Sequence, residues 1–482
     1  MMFEELFKDK EPQDILRKFY DISKIPRVPG DQKQISDYMV AWAKGLGLYV
    51  SQDKLYNVLV VKPASKGMES RPAIILQAHL DMVCEKDPGV KHDFSKDPLK
   101  LRLVDGDKIM ATGTTLGADD GIGVATIMAL FEDDSLVHPK IEALFTIDEE
   151  TDMKGAWGFD CSQLTGKTLI NLDSFAIMVS GSGELEFKMH LQKKQEKIAA
   201  GSKLINIKVG GLLGGHTGQN SMNERGNAIV MVNRILLELE KEIKYQLLYM
   251  QGGAGLSSAF ARNAEATIAF ESKDEAKVYE ICKRQLEVYK YELEIRDPGV
   301  TVTIEEVKEN WKVAFAESTT DTLRTLLLLL PDGLFTINHK FEGAMESCSN
   351  VGVVETKEEE ILVTILIRSF MENRKYYLLD RVKRICKILD IKYELGYDIP
   401  HWEFCVSDSL MAIAKEIYLD CIVDVAQGTL ETGIFRAHMP DVEIIALSCP
   451  YYNAHSPQEY LLISEMKLYK ERLIKLLARL CI

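Results

Sequence analysis

The chain lacks the features that tie a protein to an oxidising compartment, a membrane or a nucleic acid. Its nine cysteines are odd in number and scattered, with no CxxC pair. That pattern excludes a disulfide framework and a thiolate zinc knuckle, so any metal must be held by histidine and carboxylate. Long apolar runs are missing too. The five leucines of Leu326–Leu330 fall far short of the ~18 residues that a bilayer span needs. The opening residues, MMFEELFKDKEPQD, mix charges and contain no apolar signal core, so the expectation is a cytoplasmic protein. A basic excess is also absent. Lys and Arg total 58 against 73 Asp and Glu, a net charge of −15, whereas phosphate-rich partners demand the opposite sign. Neither nucleic acid nor a membrane surface is expected as a partner.

What is present fits a soluble chain of ordinary composition, 46% hydrophobic and 27% charged. Its 482 residues exceed what one hydrophobic core organises, so two domains are expected. Apolar spacing predicts helices over 11–22 and 32–44, with the turn VPGD between them. The runs YNVLVV (Tyr56–Val61) and AIILQA (Ala73–Ala78) read as strands, as do Glu142–Ile147 and Thr168–Leu172, with a helix over Gly121–Phe131. This alternation predicts an α/β domain with a central mixed, largely parallel sheet. From about Glu184 the texture changes. The segments ELEFKMHL, KLINIKVGG, EATIAFES and ILVTILIRS bracket helical stretches at Asn227–Ile243 and Asp274–Tyr291. That order predicts an inserted α+β domain. The expected boundaries are 1–185 and 398–482 for the α/β domain and 186–397 for the insertion, with a closing helix from Pro457 onward.

Four short segments place acidic or histidine side chains just past a predicted buried strand or at a helix start, where α/β sheets build their sites. In LQAHLDM, His79 and Asp81 are two apart and face one side of an extended chain. A metal-bound histidine commonly donates its second ring N–H to a carboxylate, and Asp81 is spaced for that; the bland alternative is a strand ending in a solvated turn. In TTLGADDGIG, Asp119 and Asp120 precede a helix and would ordinarily be plain caps. The flanking Gly117, Gly121 and Gly123 add room for close backbone approach, which a cap does not need. In FTIDEETDMKGA three acids follow a strand, an arrangement that like-charge repulsion disfavours unless a cation lies among them. LINLDSF puts Asp173 at another strand end. Far along the chain, CPYYNAHSPQE carries His455 in a proline-bounded loop. Alone it would be an incidental surface histidine. Together His79, Asp119, Glu150, Asp173 and His455 make an inventory suited to two zinc ions with nitrogen and oxygen ligands.

In this order the motifs H-x-D, G-A-D-D-G, E-E, N-x-D-S and H-S-P-x-E resemble the co-catalytic zinc peptidases that include aminoacylases and dipeptidases. Within them the chain is most similar to the aminoacyl-histidine (Xaa-His) dipeptidases, a resemblance that takes in IPRVPGD, GGHTG, LIRS and LETG. The resemblance implies a zinc-peptidase domain with an inserted lid, a dipeptide substrate, two zinc ions replaceable by cobalt or manganese, and room for a homodimer. It makes His79, Glu150, Asp173 and His455 metal ligands and Asp119 the bridge between the ions. It gives Asp81 the task of orienting His79, and Glu149 that of general base. His216 of GGHTG would polarise the scissile carbonyl, and Arg368 of LIRS would bind the substrate's terminal carboxylate.

The chain also departs from that family's pattern. Asp120 stands where these dipeptidases carry Asn, Ser258 of SSAFARNAEA where a substrate-contacting Asn is expected, and Gln427 opens QGTLETG in place of a histidine. Ser258 and Thr429 are thus the expected substrate contacts, and the change at each segment bears on substrate choice, not on the ligands or the base. Broad dipeptidase action is the expectation. An N-acyl amino acid amidohydrolase using the same core, and a non-catalytic binding protein on the same fold, are the alternatives.

Overall fold

The computed structural model describes residues 2–174, 176–309, 311–418 and 422–480. The chain divides into two compact units. The first comprises Met1–Gly181, Trp402–Ala426 and Leu430–Ile482; the second comprises Ser182–His401 together with Gln427–Thr429. No helix among the described residues is long and apolar enough to cross a membrane.

The first unit is built on an eight-stranded mixed sheet. In chain order its strands are β1 (Tyr49–Gln52), β2 (Val58–Lys62), β3 (Ile74–His79), β4 (Ile141–Thr146), β5 (Thr168–Asn171), β6 (Ile177–Gly181), β7 (Val423–Ala426) and β8 (Glu443–Ala446). They lie side by side as β1-β2-β4-β3-β5-β8-β6-β7. The centre is parallel: β3 pairs with β4 on one side and β5 on the other, and β5 pairs with β8. Strands β3 and β4 are buried at every position, as sheet centres covered on both faces must be. Helices α1 (Phe3–Phe7), α2 (Gln13–Ile22), α3 (Lys33–Gly45) and α4 (Ala118–Glu132) belong to this unit. The last is apolar all round and buried along nearly its whole length, the signature of a helix inside a core.

Because β3, β4 and β5 are parallel neighbours, their carboxyl ends open at one edge of the sheet. His79 closes β3, Glu149 and Glu150 follow β4, and Asp173 follows β5. A four-stranded sheet completes the unit and includes the hairpin Tyr451–Tyr452 with Tyr460–Leu462, whose loop carries His455. This hairpin occupies part of the stretch expected to be helical from Pro457; the closing helix begins at Ile463. The strand Tyr460–Leu462 pairs with Lys108–Met110, and that pairing overrides the helical pattern downstream.

The second unit holds a nine-stranded sheet in which every pairing is antiparallel. Its strands Gly183–Gln192, Glu360–Ser369 and Met345–Thr356 are long and adjacent. Helices Ala228–Glu242, Glu275–Glu292, Glu317–Leu329 and Glu372–Leu389 supply apolar faces to its core, with Ile235, Leu236, Ile281, Leu326 and Val382 among the buried residues.

Candidate metal centre

Asp119 is the residue around which the first unit's cluster is arranged. One oxygen of its carboxylate lies 3.1 Å from His79 Nε2 and the other 3.3 Å from His455 Nε2. His455 Nε2 is also 3.1 Å from Glu150. His79 Nε2 is 3.9 Å from both Glu149 and Asp173. Two sets of side chains offer ligand atoms mutually within 4.8 Å: His79, Glu149 and Asp173, and His79, Asp119 and Glu150. The five residues read from the sequence as ligands are thus in one place, with Glu149 among them.

The electrostatics show what kind of group such a cluster favours. Burial, reinforced by neighbouring carboxylates, pushes the carboxyls of Glu149 and Asp173 well above the usual range and that of Glu150 upward. Burial works to lower the affinity of His455 for its proton, but Asp119 and Glu150 outweigh it and push this imidazole up to about 11. The same contest leaves His79 raised by Asp119 and Asp81. Asp119, between the two imidazoles, is driven down in spite of its burial. A buried acidic nest that draws protons onto its histidines is one that cations would occupy instead. Polar atoms left over agree: His79 Nδ1 and Glu150 Oε1 are buried without a hydrogen-bond partner. The donor set, two imidazoles with carboxylates, is of the type that holds zinc and similar divalent ions.

The backbone N–H groups of His79, Asp119, Glu149 and Glu150 are each held by a carboxylate from another segment. Asp81 accepts from the N–H groups of Glu149 and Glu150, both at 3.1 Å. Its separation from His79 Nδ1 is 3.6 Å, an electrostatic contact longer than a hydrogen bond. Asp120 accepts from His79 N–H and from Gly123 N–H, each at 3.2 Å. The plain capping role weighed for the acidic pair therefore belongs to Asp120, while Asp119 faces the imidazoles. Glycine is required here for stated reasons: Gly117 sits at φ +64°, and a Cβ there would run into Arg27 and Met82, while one at Gly123 would meet Asp120 and the Leu172 carbonyl.

Several contributors were not singled out from the sequence. Glu459 accepts from the N–H groups of Leu116, Gly117, Ala118 and Asp119 at 2.7, 2.8, 2.8 and 3.2 Å. Buried Arg27 donates to the carbonyls of Asp81 and Leu80 at 2.9 and 3.2 Å, and to that of Gly117. Tyr451 donates to Asp173 at 3.0 Å. Glu431 accepts from Gln77 and Thr146, both at 2.7 Å, and burial pushes its carboxyl up to about 7. Glu459, Arg27 and Glu431 lie inside motifs already noted, HSPQE, IPRVPGD and LETG. Their partners are backbone atoms or core side chains remote in sequence, so no spacing rule announces them.

The remaining expected residues lie in the second unit, as a group of their own. Arg368 is buried to 2% exposure and paired with Glu184 at 2.5 Å. It donates to Thr217 at 3.0 Å and Thr429 at 2.9 Å, and its Nη2 lies 3.2 Å from His216 Nε2. The three-residue return Gln427–Thr429 packs with this unit, its Gln427 carbonyl and side chain accepting from Ser182 and from Met345 N–H at 2.9 and 3.2 Å. Half-buried Ser258 receives Thr217 N–H on its carbonyl at 2.8 Å. Its segment thus braces the GGHTG turn.

Acids that need cations, beside a carboxyl free of backbone duties, define the class as a metal-dependent hydrolase. The chain belongs to peptidase family M20/M25/M40, whose sequence model matches residues 75–479. It is 32% identical over 474 residues to the cytosol non-specific dipeptidase of Escherichia coli K12, covering 97% of each chain. Its fold is similar to that of the aminoacylhistidine dipeptidase of Vibrio alginolyticus, with a TM-score of 0.83 and 29% identity across 99% of this chain and 98% of that one. Aminopeptidase PepT of Bacillus cereus shares the fold at 14% identity and a TM-score of 0.56, over 98% of this chain and 99% of that one.

Proposed function

We propose that this protein is a dipeptidase working with a pair of divalent cations, zinc in the cell and cobalt or manganese as substitutes. The observation that carries the reading is the Asp119 carboxylate with an imidazole nitrogen facing each oxygen, the layout a carboxylate shared by two ions requires. His79 and Asp173 would hold one ion, Glu150 and His455 the other, with Asp119 common to both. Cations bound there would supply Lewis acidity and make water acidic enough to act as a nucleophile at neutral pH.

The chain's own residues do the rest. Glu149 shares its turn with Glu150, and its Oε2 lies 3.9 Å from His79 Nε2, close enough to take the proton of the attacking water and return it to the leaving amine. Asp81 keeps Glu149 and Glu150 in register through their N–H groups. His216 is assigned to polarising the scissile carbonyl and Arg368 to the terminal carboxylate, with Ser258 and Thr429 as neighbouring contacts. The first unit is read as the catalytic domain and the second as its lid. Broad acceptance of dipeptides, Xaa-His included, and a cytoplasmic location follow the Escherichia coli relative.

The test compares kcat/KM for Ala-His, Ala-Leu and N-acetyl-Leu in protein loaded with zinc, cobalt or manganese. Both dipeptides are expected to be cleaved, and chelation is expected to abolish the activity. Turnover of N-acetyl-Leu alone would move the protein to the acylases, and no turnover of any of the three would leave a binding protein.

A further inference from the structure

We infer that Glu459 is a positioning residue for the metal centre, setting the place of the shared ligand Asp119 through its backbone. The inference rests on the dinuclear reading above and adds a residue to it. Glu459 is buried to 2% exposure, and its two oxygens take four N–H groups in a row, Leu116 and Gly117 on one and Ala118 and Asp119 on the other. These four amides form the turn into α4, and a helix start leaves such donors without intrahelical partners. The carbonyl side of the same turn is taken by Arg27, which donates to Gly117 and also to Leu80 and Asp81 beside His79. One carboxylate and one guanidinium thus clasp both polar faces of the segment that presents Asp119.

Glu459 lies four positions after His455, within one hairpin loop. His455 reaches the Asp119 carboxylate while Glu459 reaches the Asp119 backbone. The loop is anchored at its far side by Tyr460 paired with Met110, and at its near side Tyr451 donates to Asp173. A displacement of this hairpin would therefore move His455 and Asp119 together and keep their separation, which is what a shared site between two cations requires. A carboxylate is the group for this role because it accepts through both oxygens at once. An amide of the same shape would turn an NH2 toward two donors.

Metal binding, read without turnover, tests the assignment. Metal-free protein is titrated with Co2+ while the visible spectrum is recorded, and metal content after dialysis is measured by plasma mass spectrometry. Wild type is expected to take up about two ions per chain. Glu459→Gln is expected to bind one of them roughly 10–100-fold more weakly, with an altered cobalt band, the usual scale for losing an outer-sphere partner. Glu459→Asp keeps the charge but draws it back by one methylene, and is expected to fall between the two. Equal uptake and an unchanged cobalt band in Glu459→Gln would overturn the inference and leave the dinuclear reading standing. If both variants unfold even without metal, Glu459 is a structural residue and the inference fails. If the wild type binds no ions, both readings fall.

Discussion

Arg368 and Glu184 face each other as direct cross-strand partners, and their side chains close a buried ion pair with Nη1 2.5 Å from the carboxylate. Nη1 also donates to Thr429, Nε donates to Thr217 and Nη2 lies beside His216 Nε2, so all three guanidinium nitrogens are engaged. A donor fixed in this way loses little entropy when it meets a carboxylate, which suits it to recognising a peptide's C-terminus.

Arg368→Ala is expected to weaken dipeptides strongly and dipeptide amides far less, since the amides lack the anion. The same change strands Glu184, at a stability loss of about 3–5 kcal/mol. Pairing it with Glu184→Gln separates the two effects: the double variant should recover stability without recovering dipeptide affinity. KM values for Ala-Leu and Ala-Leu-amide, together with denaturant midpoints, decide this. Equal loss on both substrates would remove Arg368 from carboxylate recognition.

Glu149 and Glu150 are adjacent, but only Glu150 contacts His455. Glu149→Gln should lower kcat by about 100-fold or more while metal content is retained, as expected for loss of a general base. Glu150→Gln should lose metal. Near-normal turnover in Glu149→Gln would remove Glu149 from the role of general base.

Gly117→Ala introduces a side chain where φ is +64° and where Arg27 and Met82 already fill the space. Positive φ alone costs about 1–2 kcal/mol, so the collision should bring the total above that. Gly67, at φ +90° with open space around it, is the control. Gly67→Ala should show only the backbone cost, and equal denaturation curves for the two variants would discount the clasp around Gly117.

Glu431 predicts a pH dependence in metal-free protein. Burial raises its carboxyl from 4.5 to about 7, so between these values the native chain keeps a proton that the unfolded chain has lost. Its contribution to stability is complete below about pH 4.5 and is lost as pH rises through 7, a change on the order of 3 kcal/mol. Glu431→Gln cannot titrate. Between pH 5 and 7, wild type should therefore lose more stability than the variant in denaturant titrations, and parallel losses would count against the buried acid.

The clustering of His79, Glu150 and Asp173 was legible in the sequence because parallel strands end at a shared edge, so these residues are announced by the strands that precede them. The mixed sheet was legible for the same reason: buried strands alternating with helices leave a period and a composition that short windows record. His455 was legible only as a member of a motif set. What holds these residues was not. Asp81 on the Glu149–Glu150 backbone, Asp120 on His79, Glu459 on the turn before α4 and the Arg368–Glu184 pair join segments up to several hundred residues apart. The tyrosine hairpin displaced an expected helix start for a similar reason, since its strand pairs with Lys108–Met110. Local sequence determines which side chains stand at a strand's end, through periodicity and turn chemistry. Only the tertiary structure decides which backbone amides meet which carboxylates, because hydrogen bonds between distant segments depend on register and proximity that no local pattern encodes.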